Sequence, residues 1–291
     1  MLGLALSRPG DELEAELSDA PGVEIVDIIG DRGALSRDPA TNVVGCAAVD
    51  VLRRAGVQTG VRLWLHKHMP LASGLGSSGA SSAAAAFAVN ELLDRPLSQR
   101  EVVLSAMEGE RAASGALHAD NVAPSVMGGI VLVRSYDPFE LVPLPVPAGL
   151  EVVVVHPHCD VSTAVARKLV KDRAFFLSDV VANLGNVAAF VAALAAGDLA
   201  LLGRSIQDSL VEPVRAPLIP GFASVKQAAL AAGALGCSIA GSGPSVFSFA
   251  GDAGVAARIG SAMQAAFRSA AHLDSDVYSG AVNTQGARIV R

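Results

Sequence analysis

The sequence predicts an α+β protein of two lobes, and three observations carry that expectation. Of its 291 residues 51% are hydrophobic and 17% charged, which is ample apolar material for a buried core and too little charge for a disordered chain. Segments of two-residue hydrophobic alternation are mixed with segments of helical spacing, without the regular strand-helix alternation of a barrel. A proline-rich stretch containing Pro138, Pro143, Pro145 and Pro147 reads as the linker, so the lobes are expected at residues 1–148 and 149–291. No internal repeat is visible.

Taken in order, the alternating Glu12 to Leu17 and the run Val23 to Ile29 read as strands, followed by helical spacing from Thr41 to Arg54. A strand from Val61 to Lys67 delivers the chain into a Gly/Ser loop, Ser73 to Gly79, and then into an Ala-rich helix through Leu93. Ser98 and Glu101 stand at capping-box spacing ahead of a helix reaching Ala113. Strands are expected at Gly129 to Arg134 and Leu150 to Val155. Helices are expected over Ser162 to Gly197, Asp198 to Leu210 and Phe222 to Ala232. The chain closes with strands at Cys237 to Ala240, Ser245 to Ala250, Asp276 to Val282 and Ala287 to Val290, around a helix from Val255 to His272.

Several function classes are disfavoured. With 22 Lys plus Arg against 28 Asp plus Glu, a net charge of −6 and 4% aromatics, there is neither a basic footprint nor a stacking platform for nucleic acid. The apolar stretch Val187 to Leu202 is interrupted by Gly197 and Asp198 and falls short of the roughly 20 residues that span a bilayer. Met1 to Leu6 has no basic flank and runs almost at once into Asp11 and Glu12, unlike a secretory signal. Cys46, Cys159 and Cys237 are odd in number and lack C-x-x-C spacing, which fits reduced thiols in a cytoplasmic protein.

The strongest chemical signal lies between the fourth expected element, a strand, and the Ala-rich helix: Pro70, Leu71, Ala72, Ser73, Gly74, Leu75, Gly76, Ser77, Ser78, Gly79, Ala80. Glycines let the backbone approach a ligand closely, and the first N–H groups of the following helix bind anions, phosphate above all. It is not the G-x-x-x-x-G-K-[ST] loop, because the chain contains no Gly-Lys pair. Nor does an acidic residue of the dinucleotide type follow it. Lys67 just ahead of it reads either as a phosphate contact or as a solvated strand end. Two His-rich stretches, His66-x-His68 and His156-x-His158-Cys159-Asp160, lack a completing metal cluster, and Asn42 reads as a helix cap.

Pro70 to Ser78 resembles the phosphate loop of the GHMP small-molecule kinases, and Ile239 to Ser245 resembles that family's C-terminal glycine-rich motif. The string His118-Ala119-Asp120-Asn121-Val122-Ala123-Pro124 is similar to the homoserine-phosphorylating branch, as are Ser162-Thr163 with Ala166-Arg167, and Glu212-Pro213-Val214-Arg215 with Leu218 to Gly221. The resemblance covers nearly the whole chain. It implies the family's two-lobed fold, with an N-terminal nucleotide-binding domain of left-handed β-α-β type and a C-terminal ferredoxin-like α/β sandwich domain. It implies ATP and Mg²⁺ as cofactors, the loop residues 70–80 with Lys67 on the nucleotide, and Ser78 and Glu110 on the metal. His118, Asp120 and Thr163 are implied for substrate binding, with Arg167, Arg215, Asn121 and Glu110 in the catalytic set. The implied substrate is L-homoserine, phosphorylated on its side-chain hydroxyl without a dedicated base, and the implied assembly is a homodimer. Arginines suit that substrate on chemical grounds too, since they grip carboxylates bidentately. The family carries a motif P-A-x-x-x-N-x-G-x-G-F-D ahead of a segment like Leu2 to Leu6, and the residues here match only the tail of that segment. Two other readings compete: another small-molecule kinase of the same family, or a metabolite-binding protein that keeps the scaffold without turnover.

Overall fold

A computed structural model describes residues 1–115 and 117–290. Ala116, within the run that links Glu110 to the His118 string, lies outside the described residues. The first lobe runs β1 (Leu2–Leu4), β2 (Glu12–Ser18), β3 (Gly22–Ile29), α1 (Val43–Ala55), β4 (Gly60–His66), α2 (Ser77–Leu92), α3 (Gln99–Ser114), α4 (Ala119–Met127), β5 (Ile130–Tyr136) and β6 (Phe139–Leu144). One sheet has the order β2-β4-β3, with β4 antiparallel to β2 and parallel to β3. Its alternation sorts the faces. Ile25, Leu63 and Leu65 are buried under α1, α2 and α3 with Val44, Val51, Ala86 and Val103. On the outer face Arg62 donates to Glu16 and Glu24 on the flanking strands and lies over Trp64. The expected capping box holds: Glu101 N donates to Ser98 Oγ and Ser98 N to Glu101 Oε2.

The second sheet, β1-β5-β6, corrects the linker reading. Residues 139–144 of the proline-rich stretch are an antiparallel partner of β5, with Pro143 opposite Val131. On an edge strand a residue without an N–H is tolerated, which is why prolines there do not signal a break. Strand β1 is too short for its pattern to be read, and α4 conceals itself by carrying Pro124 within a nine-residue helix.

The second lobe runs β7 (Glu151–Pro157), α5 (Thr163–Lys171), α6 (Leu177–Ala196), α7 (Leu199–Ser205), α8 (Glu212–Arg215), a 3₁₀ turn (Ala216–Leu218), α9 (Phe222–Ala231), β8 (Gly236–Ile239), β9 (Val246–Ala250), α10 (Ala253–Ala271) and β10 (Ser275–Ala281). The sheet order β10-β7-β9-β8, antiparallel throughout, is the split β-α-β-β-α-β arrangement of ferredoxin-like folds. Helices α9 and α10 cover one face through Phe222, Val225, Ile259, Met263 and Phe267.

Three expectations change here. The helix expected over Ser162 to Gly197 is two, because α5 closes at Asp172 and Phe176 is extended at φ −74°, ψ 143°. Apolar spacing continues across the break, so pattern alone joins them. The helix expected to reach Leu210 stops at Ser205, since the Asp208 carboxylate accepts the N–H groups of Leu210, Val211 and Glu212 and starts α8 instead. Ala287 to Val290 is not a strand. Asn283 Oδ1 accepts from Gln285 N and Gly286 N to make a turn, and Ala287 N then donates to Val126 O at the end of α4.

Gly197 does end the apolar stretch, at φ 67°. Because α6 starts upstream at Leu177, however, it is 20 residues long and apolar enough to cross a membrane by length and composition. Phe190, Ala193 and Leu194 bind it to a third core, with Ile130, Leu150, Val152, Leu202 and Phe249, that joins the two lobes.

Candidate active site

Strand β4 ends at the loop, and α2 opens on Gly76, left-handed at φ 74° with no side chain capping the helix. The N–H groups of its first turn are therefore left to a ligand. Ser73 knits the loop, donating to Pro70 O at 2.8 Å and accepting from Leu75 N at 3.3 Å. Leu71 is exposed, Ala72 is left-handed at φ 53°, and Leu75 packs on the core between the lobes. The second glycine-rich motif lies directly against this loop. Ser245 N donates to Ser73 O at 3.2 Å. A Cβ at Gly74, itself at φ 80°, would come within 2.5 Å of Ala240 O and 2.6 Å of Gly243 O. Gly74→Ala is therefore expected to separate the two motifs. The left-handed strain alone costs about 1–3 kcal/mol, and thermal unfolding with and without ATP should show a lower Tm and a smaller nucleotide-induced rise.

Lys67 takes a different position from the one expected. Its ammonium lies beneath the loop, donating to Ser77 O at 3.1 Å, Ser77 Oγ at 2.8 Å, Ser81 Oγ at 2.9 Å and the Asp11 carboxylate. Asp11 Oδ1 accepts from His68 N and Met69 N, and both side chains of the ion pair are almost wholly buried. Burial pushes the Lys67 ammonium below the ordinary lysine range, with Asp11 opposing.

Above the loop, α4 leans on the first turn of α2. Asn121 packs so closely there that a Cβ at Gly79 would meet its Cβ at 3.0 Å. Glu110, buried on α3, has its carboxyl raised by burial, while the Ser78 hydroxyl and the Arg167 guanidinium pull it down. Arg167 Nη2 donates to His118 Nε2 at 2.7 Å. That bond places the imidazole proton on Nδ1, 3.9 Å from Asp120 Oδ1. Thr163, opening α5, meets Ser242 of the glycine motif through their hydroxyls at 3.3 Å.

Arg215, at the end of α8, donates from Nη1 to Gly241 O at 2.7 Å. Its Nε and Asp120 Oδ1 are both buried without a hydrogen-bond partner. Both residues line a cavity of about 360 Å³ with Asp208, Glu212, Ser238 and Gly241. Burial lowers the Arg215 guanidinium, Asp208 opposing and Arg167 adding to it. A groove of about 890 Å³ shares Asp120 and Gly241 with that cavity and runs past Asn121 to Gly74 and Ala80.

The structure thus brings Ser78, Glu110, His118, Asp120, Asn121, Arg167 and Arg215 around the mouth of one loop. The His-rich stretches are otherwise engaged: His66 with Glu14, His158 with Asp276 and His156 with Ser245. Asn42 caps α1, accepting from Val44 N. Asp11, Asp208, Glu212, Lys226 and Ser238 escaped sequence reasoning. Only Glu212, inside the Glu-Pro-Val-Arg string, carried a signal that could have found it.

A phosphate loop sealed by a second glycine motif, on this pair of lobes, defines a small-molecule kinase. Residues 42–129 match the GHMP kinases N terminal domain and residues 190–269 the GHMP kinases C terminal domain. The chain belongs to the GHMP kinase family. It is 46% identical to a homoserine kinase of Chlorobium phaeobacteroides (strain BS1), over 100% of this chain and 94% of that protein. A crystal structure of homoserine kinase from Cytophaga hutchinsonii superimposes with a TM-score of 0.94 at 49% identity, covering 98% of this chain and 90% of the other. The L. major mevalonate kinase in complex with R-mevalonate shares the fold, with a TM-score of 0.71 at 23% identity over 96% and 87% of the two chains.

Proposed function

We propose that this kinase transfers the γ-phosphoryl group of ATP to the side-chain hydroxyl of L-homoserine, a step of threonine biosynthesis. The observation that carries the reading is the meeting of two oppositely charged side chains, Arg215 and Asp120, in one cavity beside the phosphate loop, with Nε of one and Oδ1 of the other buried and without a hydrogen-bond partner. A zwitterionic amino acid answers both, with its carboxylate on Arg215 and its ammonium on Asp120. The full-length relatives named above support the same substrate.

In this reading the triphosphate lies along residues 70–80 with its oxygens on the first N–H groups of α2, and Lys67 supports that turn from below. Arg167, oriented by its bond to His118, faces the transferring group, while Asn121 and Thr163 border the substrate. The hydroxyl oxygen attacks phosphorus in line, the bond to the β,γ-bridging oxygen breaks, and ADP leaves. The hydroxyl proton passes to solvent or to the transferred phosphate. Because the transition state is loose, alignment and charge supply most of the rate, so no dedicated base is required.

Ser78 and the buried Glu110 carboxylate offer oxygen donors only, at the start of α2. Among the described residues no cluster of three or more His, Cys, Asp or Glu gathers as a metal cage. Two oxygen ligands with open positions fit Mg²⁺, which draws the rest of its shell from water and nucleotide phosphates. When bound it would neutralise charge on the triphosphate. Glu110→Gln is expected to weaken Mg²⁺ binding to the nucleotide complex by about tenfold or more, read by calorimetry as well as turnover.

The lobes divide at residues 148 and 149 in this reading, and the protein works as a cytoplasmic homodimer. The outer face of α6 supports the dimer, since Leu177, Val181, Leu184 and Val187 are exposed and Asp179 is the helix's only charged residue. Light scattering should give twice the chain mass, and Leu184→Glu should give the monomer. The decisive test of the activity is ADP formation from MgATP with and without L-homoserine. Dependence on homoserine sustains the reading, and turnover indifferent to it, or better with another small alcohol, overturns it.

A further inference from the structure

Glu212 precedes Arg215 by three residues on the four-residue helix α8, the spacing at which opposite charges on a helix meet. Even so, Arg215 forms no ion pair among the described residues, and its Nε has no partner. The Glu212 carboxylate is turned away from it. Oε1 accepts from Lys226 Nζ on α9, and Oε2 accepts from Ser238 Oγ on β8 at 2.6 Å. Asp208 fixes the start of α8 through the three N–H groups it accepts, at 2.9, 2.9 and 3.0 Å. A helix this short has no stability of its own, so these anchors set where its two charged side chains point.

We infer that Lys226 and Ser238 are positioning residues that hold Glu212 away from Arg215, keeping that guanidinium open for the substrate carboxylate. The inference rests on Arg215 being the carboxylate clamp. A carboxylate tethered three residues away would compete with dissolved substrate at an effective concentration of about millimolar or higher. Lys226 and Ser238 each take one of its oxygens and fix the carboxylate in an orientation that makes no ion pair with Arg215. The same strand that supplies Ser238 leads on to Gly241, whose carbonyl takes Arg215 Nη1, so one backbone segment withdraws the competitor and aims the clamp.

Lys226→Met frees Glu212 to pair with Arg215. The KM for L-homoserine should rise about tenfold, with kcat and the KM for ATP nearly unchanged. Adding Glu212→Gln to the same chain removes the competing charge and should bring the homoserine KM back down. A merely structural role for Lys226 predicts losses in Tm, in kcat and in the KM for ATP together with the homoserine KM, whereas a competing carboxylate moves the homoserine KM alone. Ser238→Ala, which releases one oxygen only, should give a smaller rise in the same direction, and it carries the test should Lys226→Met fail to fold. An unchanged homoserine KM in both variants, or a rise that Glu212→Gln does not reverse, overturns the inference. Arg215→Ala measured alongside separates the two levels. If it leaves the homoserine KM unchanged, the clamp reading falls and this inference with it. If it raises KM while Lys226→Met does not, the inference alone falls.

Discussion

Arg215→Ala is expected to lower kcat/KM for L-homoserine by about 10²- to 10³-fold while leaving the affinity for ATP nearly intact. The guanidinium is half-buried, held at Nη1 by Gly241 O, with a buried Nε that lacks a hydrogen-bond partner, and it lines the cavity that Asp120 shares. Losing one partner of a desolvated charge contact costs about 2–5 kcal/mol, because the other charge is then buried alone. Arg215→Lys restores the charge but not the planar fork, so it should recover only part of the loss. A substrate cycle locates the effect. For 3-aminopropan-1-ol, which has the ammonium and hydroxyl but no carboxylate, wild-type protein and Arg215→Ala should turn over at similar, low kcat/KM. A penalty that persists with this amino alcohol would place Arg215 on the phosphates instead.

How far such groups could be read from the chain depends on how local their signals are. The phosphate loop is contiguous, so its glycines and the helix after it are legible, and its partner motif at residues 239–245 is equally compact. Strands such as β4 and β7 show themselves by alternation or by a run of valines. Strand β6 does not, because its prolines carry the signature of a linker and are harmless only on a sheet edge. The segments assigned to the substrate in our proposal, the His118 string and the strings that carry Arg167 and Arg215, are compact as well. What holds Glu212 beside Arg215 carries no such signal: Lys226 and Ser238 reach it from a helix and a strand that follow it, and nothing in their own neighbourhoods marks them. Asp11 is hidden for the same reason. It meets Lys67 because β2 and β4 pair with Glu12 opposite His66, a register that no short window of sequence contains.

That register gives the second large effect, which falls on stability. Lys67→Met should destabilise the fold by about 3–5 kcal/mol, the cost of leaving a buried partner charge uncompensated. Asp11 has almost no exposure, and with the ammonium gone its Oδ2 keeps only the Ser81 hydroxyl as a donor. The double variant Lys67→Met with Asp11→Asn should recover much of the loss. The amide oxygen can still accept from His68 N and Met69 N, and no charge remains to be buried. Alkaline titration adds an independent check, because burial holds the Lys67 pKa below its ordinary value. A depressed folded value means that the unfolded chain binds the extra proton between the two pKa values, so stability rises with pH through that window. The gain is complete above the ordinary lysine value and is lost as pH falls through the folded one. Wild-type protein should show this gain relative to the double variant, which has no lysine there to titrate. Equal stability of the single and double variants would mean that Asp11 is not stranded when the ammonium is removed. In that case the pair does not brace the first turn of α2, and the phosphate loop is held from its other side, by the backbone contact of Gly74 with Ala240 and Gly243.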